Sequence, residues 1–182
     1  MSAIELTLRH LRLSQDEAGI AWLQLDRVDK GANSLNGALI AELEQVFVQL
    51  KSHPPLGLII ESAKKGGFVA GADIGEFIDL YDQAEALELI RRGQGVMNLL
   101  ATLPFPTVAV IDGFCLGGGM ELALACRYRL ASNDPRTKLG LPEVKLGIHP
   151  GFGGAVRLPR LIGPLPAMTL MLTGRSVDGG RA

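Results

Sequence analysis

The sequence predicts an α/β fold with parallel crossovers. Short apolar runs of strand length, GLIIE at Gly57–Glu61 and TVAVI at Thr107–Ile111, alternate with longer stretches of helical spacing. Glycine-rich turns follow those runs, where open α/β sheets bind ligands at the carboxyl ends of their strands. With 182 residues, 47% apolar and 20% charged, the chain reads as one domain over residues 1–182 with a sizeable core.

Leu6–Leu13 and Gly19–Asp26 alternate apolar and polar residues and read as an early pair of strands. In Asn36–Ser52, Leu39, Ile40, Leu43, Val46, Phe47 and Leu50 recur at helical spacing, and Pro54-Pro55 ends the helix. Gly57–Glu61 is a short buried strand, and Ala84–Leu103 is the longest helical pattern, closed by Pro104 and Pro106. Thr107–Ile111 is a second buried strand. It leads through Asp112-Gly113 to Gly117-Gly118-Gly119 and a helix over Met120–Arg127, followed by a short strand around Arg129–Ser132. Pro164–Thr173 is apolar nearly all round, which normally means burial against more protein, so the chain is expected to be a fragment. There is no internal repeat, low-complexity segment or linker.

A net charge of −1 without a basic tract argues against nucleic-acid partners. No apolar run spans a bilayer and Met1–Glu5 opens no signal-peptide core, so a cytoplasmic protein is expected. Cys115 and Cys126 match no metal or redox spacing, and Cys115, between Phe114 and Leu116, reads as a small buried hydrophobe. His10 and His53 fall on early segments expected at the surface, His149 precedes Pro150, and the three share no metal-ligand spacing. The glycine turn holds no serine, which argues against a serine hydrolase. Neither Gly113–Gly119 nor Gly151–Gly154 gives a dinucleotide fingerprint.

Two glutamates remain. Glu121 follows the glycine triplet and Glu143 sits in Leu139-Gly140-Leu141-Pro142-Glu143-Val144, both in otherwise apolar surroundings. Such carboxylates point into a cleft or carry a large desolvation penalty, and a pair in a partly dry cleft suits acid–base chemistry. The helix start is expected to hold Glu121 ionised. Phe68–Ile74 (FVAGADI) alone reads as a strand-to-helix turn capped by Asp73. Combined with the glycine triplet it supplies the other half of a two-donor oxyanion site.

Four ordered motifs carry a resemblance. They are Ala70-Gly71-Ala72-Asp73-Ile74, Asp112-Gly113 through Gly117-Gly118-Gly119-Met120-Glu121, Leu139-Gly140-Leu141-Pro142-Glu143, and Pro150-Gly151-Phe152-Gly153-Gly154. In this order they resemble the signatures of the enoyl-CoA hydratase/isomerase (crotonase) family, from about Gly19 onward. Asp134-Pro135-Arg136-Thr137 with the following Leu139–Gly147 stretch is similar to one branch, the hydratase part of the multifunctional α-subunits of bacterial fatty-acid β-oxidation complexes.

The resemblance implies a crotonase-like spiral of ββα units that binds acyl-CoA thioesters, with the C-terminal helical region largely missing from this chain. By matching positions, the backbone N–H groups of Ala72 and Gly118 form the oxyanion hole, and Glu121 and Glu143 are the two catalytic glutamates. Keeping both favours hydration of trans-2-enoyl-CoA, with Glu143 as the acid that protonates carbon and Glu121 holding the water. Lys30-Gly31-Ala32-Asn33-Ser34-Leu35 resembles the family's early loop near the CoA adenine and pantetheine. Lys30, Ala32, Ala70, Asp73, Ile74 and Gly117 are thus expected to contact the substrate. Coenzyme A enters as part of that substrate; no metal and no other cofactor is expected in this domain. In the full-length protein the resemblance implies a following NAD-dependent dehydrogenase part and contacts with a thiolase β-subunit or with further copies. The other readings are a Δ3/Δ2-enoyl-CoA isomerase and a non-catalytic acyl-CoA-binding or assembly module.

Overall fold

The computed structural model describes residues 6–73, 75–76 and 82–181. The first elements are β1 (Leu11–Gln15), β2 (Ile20–Leu25), α1 (Gly37–Ser52), β3 (Gly57–Ser62), β4 (Gly67–Val69) and α2 (Gln83–Ala101). Next come β5 (Thr107–Ile111), β6 (Phe114–Leu116), α3 (Gly118–Ala125), β7 (Tyr128–Ala131) and β8 (Lys138–Gly140). A 3-10 turn (Glu143–Leu146), α4 (Gly154–Ile162), α5 (Pro164–Thr173) and β9 (Ser176–Asp178) complete the described chain.

The strands form two sheets, one ordered β1-β2-β3-β5-β7 and the other β4-β6-β8-β9. Among the described residues, β1–β2 and β8–β9 pair antiparallel and the remaining pairs run parallel. The progression β3-β4-α2, then β5-β6-α3, then β7-β8-α4 repeats one motif, strand to the larger sheet, strand to the smaller sheet, helix. The sequence contains no repeat. The repetition lies in topology alone, because each unit meets the same packing problem with different side chains.

Burial follows the predicted patterns. Along β2, alternate residues Ala21, Leu23 and Leu25 are buried, and β5 buries Thr107, Ala109 and Ile111 in the same alternation. The apolar members pack in one cluster with Leu39, Leu43 and Phe47 of α1 and Met97 and Leu100 of α2, each fully buried large apolar side chain contributing about 1.5–3 kcal/mol before entropy is counted. Helix α1 starts where Asn36 Oδ1 accepts the Leu39 N–H at 2.9 Å, which satisfies one of the donors left open at a helix start.

Several boundaries differ from the sequence reading. The first strand begins at Leu11 rather than Leu6, because the N–H groups of Arg9 and His10 are given to the Glu42 carboxylate at 3.1 and 2.9 Å instead of to a ladder. His10 is accordingly buried, not at the surface. Helix α3 starts at Gly118, two residues before the expected Met120. Strands β4, β6, β8 and β9, each of three residues, are additional to the sequence reading; three residues are too few for a period to register. Helix α5 buries Ala167 but leaves Leu165, Met168 and Leu172 exposed. Among the described residues, no helix is long and apolar enough to cross a membrane.

At Gly119 the first turn of α3 crosses β4 closely. A Cβ there would lie 2.5 Å from the Val69 carbonyl oxygen and 2.6 Å from Val69 Cβ. Both neighbours are held in the smaller sheet, so neither yields cheaply. Gly119→Ala is expected to lower stability by at least about 1–3 kcal/mol, the usual cost of overpacking; a thermal melt indistinguishable from wild type would contradict the crossing.

Candidate active site

The site grows from three chain ends brought side by side by the smaller sheet. Where β4 ends, the chain turns at Gly71 and presents Ala72. Where β6 ends, Gly117 adopts φ +52°, a left-handed conformation that glycine takes without steric cost, and α3 begins at once. Where β8 ends, Leu141 and Pro142 lead into the 3-10 turn headed by Glu143. The Gly117 N–H donates to the Gly140 carbonyl at 2.9 Å, tying the second end to the third.

Ala72 and Gly118 come together between these ends. A Cβ built on Gly118 would lie 3.4 Å from the Ala72 nitrogen, so the two residues face each other across the entry to α3. Neither N–H finds an acceptor among the described residues. The Gly118 N–H belongs to the first turn of α3, whose N–H groups lack partners within the helix. The pair can polarise a carbonyl oxygen placed between them.

The carboxylates flank this pair. Glu121, one turn into α3, is 2% exposed, and its Oε1 accepts the N–H groups of Phe152 and Gly154, each at 2.7 Å. The helix start does not hold it at an ordinary carboxylate value, contrary to the expectation. Burial pushes the Glu121 carboxyl up to about 7, against the Gly154 and Phe152 donors and the Arg157 guanidinium, and the nearby Glu143 adds to the rise. Glu143 lies over Gly117, where a Cβ would come within 3.3 Å of its Oε1. Its Oε2 is buried and has no hydrogen-bond partner among the described residues. Burial raises the Glu143 carboxyl too, with its own N–H and His149 acting in the opposite direction. Both carboxyls are thus harder to ionise than usual, chiefly through burial.

A profile of the enoyl-CoA hydratase/isomerase family matches residues 15–182. The chain belongs to this family.

Among relatives of this enoyl-CoA hydratase/isomerase family member is the fatty acid oxidation complex subunit alpha of Vibrio vulnificus (strain CMCP6). It is 48% identical over 171 residues, 93% of this chain and 24% of the relative. The subunit of the same name from Vibrio cholerae serotype O1 (strain ATCC 39315 / El Tor Inaba N16961) is 49% identical over 173 residues, 94% of this chain and again 24% of its own length. The chain thus spans about a quarter of the length of the curated relatives it matches. In structure it is similar to an enoyl-CoA hydratase from Bacillus anthracis (TM-score 0.88, 34% identity, covering 96% of this chain and 66% of that one). A protein from Geobacillus kaustophilus HTA426 described as an enoyl-CoA hydratase aligns over 100% of this chain and 67% of its own (TM-score 0.90, 31% identity). The crotonase-like fold expected from the motifs is the fold observed.

The structure brings Ala72, Gly117, Gly118, Glu121 and Glu143 together. Ala70, exposed, stands two residues before Ala72 and donates its N–H to the Asn33 carbonyl. Lys30 and Ala32 lie exposed on the loop from β2 to α1, and the Lys30 charge is close enough to help lower the Asp73 carboxyl. Asp73 is engaged within the protein, with Arg27 at 2.6 Å and the Gly75 N–H at 3.2 Å; the helix it was expected to cap lies largely outside the described residues. Ile74 lies outside the described residues.

The sequence reading gave no role to Phe152 and Gly154, although Pro150-Gly151-Phe152-Gly153-Gly154 was among the motifs. Their N–H groups hold Glu121, and the Phe152 ring occupies the space that a Cβ on Gly93 of α2 would overlap. Arg157 braces the turn, donating to the Phe152 carbonyl at 3.1 Å and to Asn98 Oδ1 at 2.6 Å. Two cavities, of about 260 and 340 Å3, flank Arg157 and Arg160, and neither glutamate lines them. The two glutamates and the Ala72 and Gly118 N–H groups lie instead around the carboxyl ends of β4, β6 and β8. Both cysteines are buried; burial raises the Cys115 thiol and pushes Cys126 up to about 12, so neither is a nucleophile near neutral pH.

Proposed function

We propose that this domain hydrates trans-2-enoyl-CoA thioesters to 3-hydroxyacyl-CoA. One observation above all supports the reading: two buried carboxyls with raised affinity for protons stand beside the neighbouring Ala72 and Gly118 N–H groups, neither of which has an acceptor among the described residues. Adding water to a double bond conjugated with a thioester builds negative charge on the carbonyl oxygen. The Ala72 and Gly118 N–H groups stabilise that charge as it appears, where binding energy lowers the barrier.

The carboxyl pair handles the protons. Glu143, protonated, delivers a proton to C2, while Glu121, anchored by the Phe152 and Gly154 N–H groups, holds the water whose oxygen bonds to C3. The water gives its proton to the pair as the pair gives one to C2, so the pair's protonation is restored. No step requires a metal or a nicotinamide. Like the relatives named above, the whole natural protein is proposed to act in fatty-acid oxidation as a complex subunit.

The test is loss of the conjugated thioester absorbance with trans-2-enoyl-CoA of short, medium and long chain, chelator present. Turnover without metal is expected. Absence of hydration at every chain length, with conversion of 3-enoyl-CoA instead, would replace this reading by the isomerase.

A further inference from the structure

The loop from β2 to α1 is built around a buried cation that the proposed chemistry does not use. Arg27 has a side chain only 4% exposed, yet its guanidinium meets two carboxylates. It bonds Asp29 through Nε at 3.0 Å and Nη2 at 3.1 Å, and Nη1 reaches Asp73 Oδ2 at 2.6 Å and the Ser34 hydroxyl. The Arg27 N–H donates to Asn33 Oδ1, and Asn33 Nδ2 donates to the Phe68 carbonyl on β4.

The same loop seizes the backbone around Ala72. The Ala70 N–H donates to the Asn33 carbonyl at 2.9 Å, the Leu35 N–H to the Gly71 carbonyl at 2.8 Å, and the Asp73 N–H to the Leu35 carbonyl at 2.7 Å. Leu35 and Ala72 form an isolated parallel bridge. Main-chain groups on both sides of Ala72 are thus occupied by residues 33–35, whereas the Ala72 N–H has no acceptor among the described residues. The loop turns this peptide toward Gly118, and the Arg27–Asp73 ion pair fastens the far side of the turn.

We propose that Arg27 is a positioning residue: through its fork to Asp73 and Asp29 it fixes the direction of the Ala72 N–H, and so the strength of the oxyanion site. Asp73 belongs to the scaffold of that donor rather than to the substrate contacts. A guanidinium suits the task because its planar fork holds two carboxylates at set angles, which a lysine ammonium does not. Removing the Asp73 carboxylate leaves Arg27 paired with Asp29 alone, so the guanidinium no longer ties the β2–α1 loop to the turn that carries Ala72. This inference rests on the hydratase reading for its kinetic consequence, but not for its spectroscopic one.

The experiment uses the full natural polypeptide carrying this sequence, with the variants Arg27→Lys, Asp73→Asn and both together. Arg92→Gln, in an exposed pair with Glu44, serves as control. Two quantities are read: kcat and KM for crotonoyl-CoA, and the red shift of a bound dimethylaminocinnamoyl-CoA, whose absorption moves to longer wavelength as its carbonyl is polarised. Each single variant is expected to lower kcat by roughly 10-fold or more with KM within a few-fold, short of the 10²–10³ for losing a whole donor. The red shift should shrink in parallel, and the double variant should lose little beyond the worse single one. Folded variants with the full red shift, or a KM increase at unchanged kcat, would overturn the proposal while leaving hydration standing. A wild type that binds the chromophore with a red shift but does not hydrate would defeat the hydratase reading alone, with positioning then judged by the shift. A wild type showing neither would overturn both. Should Asp73→Asn fail to fold, Arg27→Lys, which retains the charge, decides by the same two readouts.

Discussion

Glu121→Gln and Glu143→Gln are each expected to lower kcat by on the order of 10²-fold or more, with KM changed only a few-fold. General acid–base groups act mainly in the transition state, so their loss is felt in turnover rather than in ground-state affinity. Glutamine keeps the shape in both cases. At position 121 its carbonyl oxygen still accepts the Phe152 and Gly154 N–H groups, so the turn stays in place and only the proton chemistry is removed. The two losses should not add, because both residues act on one water and one shared proton. Steady-state rates for the two single variants and the double variant check this. A single variant retaining near-wild-type kcat would remove its residue from the mechanism, and fully additive losses would break the pairing.

A second large effect concerns stability and is independent of any substrate. The Glu121 carboxyl is raised from 4.5 to about 7 in the folded protein. The folded state therefore binds the proton more tightly than the unfolded state does. The sign follows from linkage: below pH 4.5 the group is protonated in both states and costs nothing, between 4.5 and 7 its contribution to stability falls as pH rises, and above 7 the full cost persists. That cost is on the order of 3 kcal/mol. The amide introduced by Glu121→Gln does not titrate, so this variant should melt several degrees above wild type at pH 8. The scale is roughly 2–4 °C per kcal/mol for a chain of this size, and the gain should vanish toward pH 4.5. Thermal melts across that range give the answer; a gain that is absent at pH 8, or constant with pH, would mean that burial does not dominate at Glu121. The same substitution would thus stabilise the fold and disable the site, the trade expected of a carboxyl kept in a dry place for chemistry.

The parts legible in the sequence share a physical character. Helix α1 was readable because its apolar stripe runs from Leu39 to Leu50 and Asn36 caps it; β5 because its run is bounded by Pro106 and Asp112-Gly113. The smaller sheet was not, since β4, β6, β8 and β9 are stabilised by register with one another rather than by their own patterns. Glu121 and Glu143 stood out as charges in apolar, glycine-bracketed turns. The donors to Glu121 did not, because a backbone N–H leaves no trace in side-chain identity. Arg27 was hidden for the opposite reason: a charged residue in a loop reads as solvated, and only the tertiary contacts with Asp29 and Asp73 reveal it as buried. His10 was misjudged on the same ground, its segment being drawn inward by Glu42.

Negative charge on Glu121 is met by main-chain amides, and under the proposed function the same holds for a thioester oxygen set between Ala72 and Gly118. Every residue except proline carries such an amide, but at Gly154 a side chain would collide with the glutamate it serves, its Cβ lying 2.9 Å from Glu121 Cγ. Vulnerability extends from there to whatever sets the path of the chain: Gly117 and Gly119 at the entry to α3, Gly93 beneath Phe152, and the Asn33–Leu35 clasp. A site that draws on amides instead of side chains therefore depends on glycines and loop contacts for its shape, and substitutions at these positions are expected to disturb it as surely as changes to its two carboxyls.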